Sequence, residues 1–197
     1  MSQTTATNRA ALLDVIRSRR SIGKVRPERP PRELIEQMLE TAVYAPNHHR
    51  TQPWRFFVIA GKAREQLGEA MAQAELAATE PSRPGRDPAK VRQKPLRAPV
   101  IIAVAVEPSR DPKVVEIEEI ESGAAAVENM LLAAHSLGLA AMWRTGDAAY
   151  APEVKAFFGL APSAHLLGFI YVGYPDITLP ERPRVVAAEQ TTWLGWD

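Results

Sequence analysis

Two short segments of this 197-residue chain combine arginine with a hydroxyl side chain, an arrangement suited to binding phosphate. The first is Arg19-Arg20-Ser21, followed by Lys24, at the end of an apolar helical pattern. The second is Trp143-Arg144-Thr145, followed by a glycine, at the end of a short apolar run. A guanidinium group donates through a planar fork, and a hydroxyl adds one more donor. From spacing alone, a solvated basic helix end and an ordinary strand-end turn explain the two segments equally well.

A third segment dense in hydrogen-bond donors runs from Asn47 to Trp54, between a predicted helix and a predicted strand. Functional residues concentrate on loops of this kind. His48 and His49 are adjacent, but sequence neighbours rarely face one metal ion, and the sequence offers no further ligand cluster. We therefore predict no metal site. His135 and His165 stand alone in apolar surroundings, which is typical of structural histidines.

The sequence argues against several other chemistries. The chain has no cysteine, which excludes disulfides, thiolate metal ligands and cysteine nucleophiles. No Ser-His-Asp arrangement or glycosidase-like carboxylate pair stands out. A GxGxxG segment after a strand and a GxxxxGK[ST] segment are also missing, which argues against a Rossmann or P-loop nucleotide site. Donors outnumber candidate acids and bases, a pattern that fits a protein whose bound anionic cofactor carries out the reaction.

Charge and hydropathy narrow the range of partners. The net charge is +1, with 46% hydrophobic and 24% charged residues, which is typical of a globular protein that does not bind nucleic acid. No apolar run approaches the roughly 20 residues of a membrane-spanning helix, and the first residues lack an apolar signal core. We expect a cytoplasmic protein with no nucleic-acid or membrane partner.

Apolar periodicity and helix breakers predict helices and strands in alternation. The predicted helices cover residues 9–18, a stretch after Pro31 that stops near Pro46, and residues 62–79, 116–137 and 151–158. The predicted strands cover residues 55–60, 100–106, 139–143 and 166–172. This order indicates helices packed around one small sheet. We predict a single domain over residues 1–197, with a frayed start at 1–8, a flexible linker or flap at 81–97 and an extended C-terminal arm at 176–197.

Two features indicate that the chain associates with a copy of itself. Gly123-Ala124-Ala125-Ala126 lies within the longest predicted helix, where small side chains let another backbone approach closely. This helix is either central in the fold or part of an oligomer interface, although alanine also has high helix propensity. The C-terminal arm carries Trp193 and Trp196, which are too apolar to extend freely into water. Both features predict a homodimer.

Taken together, these motifs resemble those of the nitroreductase family, most closely its compact branch of short NAD(P)H nitroreductases. The resemblance runs from Leu12 to Pro175 through RRS at 19–21, AP at 45–46, QPWRFFVI at 52–59, SGAAAVENMLLAAHSLGL in the long helix and WRTG from 143. The family implies an α+β nitroreductase-like fold, with a small, mixed, mainly antiparallel sheet flanked by helices. It also implies an intertwined homodimer that binds FMN between its subunits.

The resemblance also implies roles for individual residues. Residues matching FMN-contacting positions are Arg19, Arg20, Ser21, His48, Trp143, Arg144 and Thr145, and Tyr44 falls where the compact branch can carry a flavin-contacting basic residue. The residues matching the stretch associated with nicotinamide nucleotide binding are Ala133, Ala134, His135, Ser136, Leu137 and Gly138. Asn47 and Arg50 depart from the Ser and Asn of many members, and Lys24 replaces a common arginine.

The implied activity is transfer of hydride from NAD(P)H to a small electron-poor acceptor, such as a nitroaromatic or a quinone. Chemistry takes place on the flavin, so that no protein side chain is assigned a catalytic role. Donor and acceptor share one flavin face, which implies ping-pong order. Two alternatives stay open because one fold hosts several functions: dehalogenation or flavin fragmentation, and flavin binding without turnover.

Overall fold

The computed structural model of the protein describes residues 11–78 and 86–196. Its centre is a four-stranded sheet in the order β1-β2-β4-β3, in which every neighbouring pair of strands is antiparallel. The strands are β1 (Trp54–Ala60), β2 (Val100–Val106), β3 (Ala140–Arg144) and β4 (His165–Gly173). The four strands predicted from sequence are therefore confirmed to within one residue at each end.

Helices cover both faces of this sheet. They are α1 (residues 11–18), α2 (Arg32–Ala42), α3 (Ala63–Ala77), α4 (Pro88–Arg92), α5 (Glu116–Ser136), α6 (Asp147–Tyr150) and α7 (Pro152–Phe157). Short 3-10 turns lie at His48–Arg50, Lys94–Arg97 and Ala187–Gln190. Within the described ranges, no helix is long and apolar enough to cross a bilayer. The α+β fold class is confirmed.

β2 is buried along its whole length and divides two apolar cores. Val100, Ile102 and Val104 face the core shared with α2 and α5. The alternating residues Ile101 and Ala103 face the core shared with α3 and α7. A continuous β-branched and alanine run is what a strand covered on both faces requires, because it has no solvent side on which polar residues are favoured.

α5 packs directly on the sheet of its own subunit. A Cβ on Gly123 would lie 2.6 Å from both Leu167 Cδ1 and Val106 Cγ2, and Ala126 is fully buried in the same core. The small side chains at these two positions therefore serve packing within the subunit, rather than the close helix–helix approach expected from the sequence.

Residues 86–97 of the predicted 81–97 linker form ordered structure that packs on α3. Asp87 caps α4 by accepting the Ala89 N–H at 2.9 Å, and Arg92 Nε donates to Glu69 Oε2 on α3 at 2.6 Å. Val91 is buried beneath this contact. Residues 81–85 of the predicted linker and the predicted frayed start at 1–8 lie outside the described residues.

The chain after β4 forms an extended arm. Every residue from 180 to 196 is exposed, including Trp193 and Trp196, whose ring centroids are 5.5 Å apart. The arm therefore buries none of its apolar side chains on its own subunit.

Candidate functional site

The segment that follows α1 lies along the edge of the sheet beside β3. The Ile22 N–H donates to the Ala141 carbonyl at 3.2 Å, and Ser21 forms a parallel bridge with Ala141. Lys24 is held at the surface by an ion pair with Asp176 at 3.1 Å. The end of the Arg19-Arg20-Ser21 segment therefore lies next to β3, the strand that contains Trp143 and Arg144.

Gly23 marks the point where the two arginine segments meet. A Cβ at this position would lie 2.7 Å from Met142 Sδ and 3.0 Å from Arg144 Nη2. A side chain here would require Met142 and the Arg144 guanidinium to shift, so glycine suits this close approach. The structure therefore brings the backbone that follows Arg20 next to β3 and Arg144, although the two segments are far apart in sequence.

Three arginines of these segments have a buried, unsatisfied nitrogen. Among the described residues, the buried side-chain nitrogen and oxygen atoms without a hydrogen-bond partner are Nε of Arg19, Nε of Arg20, Nε of Arg144 and Oε1 of Glu119. Leaving a buried donor unpaired costs roughly 1–3 kcal/mol, so such groups are rare and call for an explanation. The three nitrogens belong to the two segments that adjoin at the sheet edge, and their unused donors suit an anionic ligand.

The other contacts of the first two arginines leave room for such an anion. Arg19 Nε lies 3.4 Å from Glu128 Oε1, close enough for an ion pair but without a hydrogen bond. Arg20 Nη1 donates to the carbonyls of Arg17 and Arg19 at 2.7 and 3.0 Å, which fixes the direction of its side chain. Both guanidinium groups are thus positioned with donors still unused.

Arg144 faces a cavity of about 370 Å³ on the α3 side of the sheet. Its guanidinium carbon lies 5.2 Å from the centroid of the Tyr171 ring, a cation–π contact. Burial raises the pKa of Tyr171, while the positive charges of Arg144 and Arg97 act in the opposite direction. The phenol therefore stays protonated at neutral pH and can donate a hydrogen bond into the cavity.

Three cations that line this cavity were missed by the sequence analysis: Arg86, Lys94 and Arg97. They were missed because residues 81–97 were interpreted as a linker. The available signal was the run of basic residues shortly before β2. Trp143, Arg144 and Thr145 line the same cavity.

Trp143 is anchored by its indole group. Its Nε1–H donates to the Leu167 carbonyl of β4 at 3.1 Å, which ties the end of β3 to its neighbour. The ring is about one-third exposed, at 36%. Trp143 can therefore offer an apolar ring face to a ligand, while its only polar group is already paired within the protein.

The loop between α2 and β1 has a strained backbone. Within the described chain, the non-glycine residues with positive φ are His49 (59°), Arg50 (54°) and Gln52 (49°), all in this loop. Backbone strain of this kind clusters at functional sites. His48 is fixed beside it, with Nδ1 2.7 Å from Glu118 Oε2 on α5 and its ring stacked 4.0 Å from that of His49.

Asn47 holds this loop in place. Its Oδ1 accepts the Gln52 N–H at 2.7 Å and the Thr51 hydroxyl at 3.3 Å, and its Nδ2 donates to Ser122 Oγ on α5 at 3.2 Å. This departure from the family pattern therefore has a structural function in the loop. Arg50 points to the exposed side of the loop.

The predicted nicotinamide stretch, Ala133 to Gly138, is the C-terminal end of α5 and the turn after it. Ala133 and Ser136 line a shallow apolar depression of about 420 Å³ together with Tyr44, which is 85% exposed. Ala134 is fully buried in the core and offers no surface to a ligand. The structure therefore places Tyr44 beside this stretch, on the α2–α5 side of the molecule.

Two histidines that were expected to be isolated in apolar surroundings make polar contacts instead. His135 Nε2 lies 2.8 Å from Ser18 Oγ on α1, and His165 Nε2 lies 2.5 Å from Glu116 Oε1 on α5. Each contact joins two separate elements, and the predicted apolar environment of these histidines is wrong. Over residues 11–78 and 86–196, no three side chains of metal-binding type gather in one place.

Known proteins resemble this chain in sequence and in fold. The model of the family described as "Nitroreductase family" matches residues 16–174. The Escherichia coli K12 protein named "Putative NAD(P)H nitroreductase YdjA" is 33% identical over 168 residues, which cover 84% of this chain and 88% of that one.

Solved structures share the fold over nearly the whole chain. The nitroreductase-like family protein of Bacillus cereus superposes with a TM-score of 0.79 at 25% identity, covering 93% of this chain and 96% of that one. A Desulfovibrio desulfuricans protein described as a "putative nitroreductase in complex with FMN" gives a TM-score of 0.70 at 27% identity, over 94% and 98% of the two chains. The family match and the shared fold establish that this chain belongs to the nitroreductase family of oxidoreductases.

Proposed function

We propose that the protein binds FMN and transfers hydride from NAD(P)H to small electron-poor acceptors such as nitroaromatics or quinones. The observation that carries this proposal is the set of buried, unpaired Nε atoms on Arg19, Arg20 and Arg144, which lie on two adjoining segments. FMN, once bound, supplies the two-electron chemistry, and the protein supplies binding, orientation and electrostatics. The name of the Escherichia coli relative and the FMN found in the Desulfovibrio protein support the proposal.

The protein side chains then have defined tasks. Arg19, Arg20 and Arg144 donate charge-assisted hydrogen bonds to the ribityl-phosphate, and the hydroxyls of Ser21 and Thr145 add donors. Arg19 and Arg20 would also supply positive charge near the pyrimidine edge of the bound cofactor. No general base is needed from the protein.

The dinucleotide and the acceptor are proposed to use one site in turn. Ala133, Ser136 and Tyr44 border an open apolar depression that offers a surface to a planar ring. Leu12 of α1 lines the same depression, so in the proposed dimer the depression lies at the subunit interface. His48 on the strained loop is proposed to contact the flavin. Because the sequence offers no Rossmann motif that would hold the nicotinamide elsewhere, donor and acceptor bind alternately.

A homodimer is proposed to complete the site. α1 exposes about half of each of its large apolar side chains Leu12, Leu13 and Ile16, and the arm exposes Trp193 and Trp196. Exposed clusters of large apolar side chains mark surfaces that another chain covers. In this proposal, α1 and the arm of one subunit pack on the other subunit, beside the arginine segments of that other subunit.

Identification of the released cofactor tests the proposal. The purified protein is denatured by heat, and the supernatant is analysed by mass spectrometry and by its absorption spectrum. FMN in near-stoichiometric amount is expected. FAD, or no flavin even after reconstitution, would contradict it. NAD(P)H oxidation with a nitroaromatic acceptor then distinguishes turnover from flavin binding alone.

A further inference from the structure

The cavity beside Arg144 contains an excess of positive charge. Arg86, Lys94 and Arg97 line it together with Arg144. The Arg86 guanidinium is paired with Asp147 at 3.2 Å. Within the described ranges, no ion pair or side-chain hydrogen bond engages Lys94, Arg97 or Arg144. Asp147 lines the cavity as well, so one acid faces four cations, and the remaining positive charges repel one another.

Partial burial disfavours the positive charge of Lys94. Desolvation lowers the pKa of Lys94, and the neighbouring charges of Arg86 and Arg97 lower it further, while Glu75 and Asp147 act in the opposite direction. The Arg144 Nε is buried without a partner. A dianion in the cavity would remove both penalties, because it attracts the cations and accepts their hydrogen bonds.

The cavity also offers a donor set suited to phosphate. Arg144 and Arg97 provide planar forks, Lys94 provides a point charge, and the protonated Tyr171 hydroxyl provides a neutral donor. The cavity of about 370 Å³ also has room for a neighbouring sugar. These are the donor types found in phosphate sites, and here they come from three separate parts of the chain.

We infer that Lys94 and Arg97, together with Arg144, bind a phosphate group of one of the reaction's own ligands. This inference rests on the proposed function, because the phosphate is either that of FMN or the 2′-phosphate of NADPH. Lys94 and Arg97 thereby set the preference for FMN over riboflavin in the first case, and for NADPH over NADH in the second.

The test compares Lys94→Gln and Arg97→Gln with Lys90→Gln, an exposed lysine of α4 that does not line the cavity. The full-length chain is freed of flavin and titrated with FMN and with riboflavin, followed by fluorescence. If the FMN phosphate occupies the cavity, the Kd for FMN rises about tenfold or more in the first two variants, since each loses a charged hydrogen bond. The Kd for riboflavin stays unchanged, as do both values for Lys90→Gln.

A second arm identifies the alternative source. If the NADPH 2′-phosphate occupies the cavity, FMN affinity is unchanged, and rapid-mixing reduction shows a tenfold weaker apparent Kd for NADPH but not for NADH. A purely structural role would weaken FMN and riboflavin equally and lower the melting temperature of the flavin-free variants. That result would overturn the inference. The inference would also be overturned if the ratio of the Kd for FMN to the Kd for riboflavin, and the ratio of the Kd for NADPH to the Kd for NADH, were the same in all three variants.

A third arm separates this inference from the proposed function. The flavin-free chain is titrated with inorganic phosphate at constant ionic strength, and its melting temperature is followed. If the wild-type chain binds no flavin, the proposed function fails, but phosphate still raises the melting temperature of wild type and Lys90→Gln more than that of Lys94→Gln. An identical phosphate response in every variant would overturn the phosphate pocket itself.

Discussion

Replacing Arg144 by methionine should have opposite effects on the free protein and on its complex with FMN. Arg144 lies where the two arginine segments meet, beside Gly23, with its Nε buried and unpaired. Its guanidinium carbon lies 5.2 Å from the Tyr171 ring centroid. Methionine retains much of the aliphatic length and removes the charge and all donors.

The magnitudes follow from these contacts. In the flavin-free protein, the change removes a buried unpaired donor that costs ~1–3 kcal/mol and a cation–π contact that contributes ~0.5–1 kcal/mol. The free energy of unfolding should therefore stay within ~1 kcal/mol of the wild-type value or increase. In the complex, losing a charge-assisted hydrogen bond of ~1.5–3 kcal/mol should raise the Kd for FMN about 10- to 150-fold.

Two measurements check this prediction. Urea unfolding of the flavin-free chain gives its stability, and fluorescence titration gives the Kd for FMN. Arg110→Met serves as the matched control, because Arg110 is an exposed arginine outside the two segments. If FMN binds equally well to both variants, or if Arg144→Met loses stability in proportion to affinity, the assignment of Arg144 to the phosphate site is refuted.

Four further predictions follow from the same geometry. Gly23→Ala should weaken FMN binding with little loss of fold, because its Cβ would lie 3.0 Å from Arg144 Nη2; equal Kd values would contradict the close approach. Asn47→Ala should destabilise the loop by ~1–2 kcal/mol through loss of its hydrogen bonds, measured by urea unfolding; unchanged stability would count against the role given to Asn47. Ile16→Asp should produce monomers in sedimentation runs, because the charge falls on the exposed face of α1; an intact dimer, or a monomeric wild type, would exclude α1 from the interface. Double-reciprocal plots of rate should be parallel at several acceptor concentrations, and intersecting lines would indicate a ternary complex instead.

The strands were predictable from sequence because each is an apolar run of strand length bounded by breakers. β2 is the clearest case, since its seven consecutive buried residues leave no helical periodicity to compete with a strand. The path of Ser21 beside Ala141 was not predictable in this way. It depends on one backbone hydrogen bond between distant segments, which leaves no local pattern in the sequence.

The candidate site was only partly predictable, for a related reason. The arginine segments stand out because arginine and hydroxyl residues are adjacent in the chain. Lys94 and Arg97 join Arg144 only because the segment from α4 to the Lys94–Arg97 turn packs on α3. The role of Gly123 could not be decided from sequence, because a small residue in a helix permits close approach by either a helix or a sheet, and only the structure shows which.

The central claim is that the protein passes hydride from NAD(P)H to an acceptor through bound FMN. Anaerobic mixing of the flavin-loaded protein with excess NADPH or NADH, with no acceptor present, tests it most directly. We predict complete loss of the visible flavin absorbance, followed by its return when a nitroaromatic or a quinone is added. Absorbance that persists with both dinucleotides until an acceptor is present, or that fails to return after any acceptor, would contradict the claim.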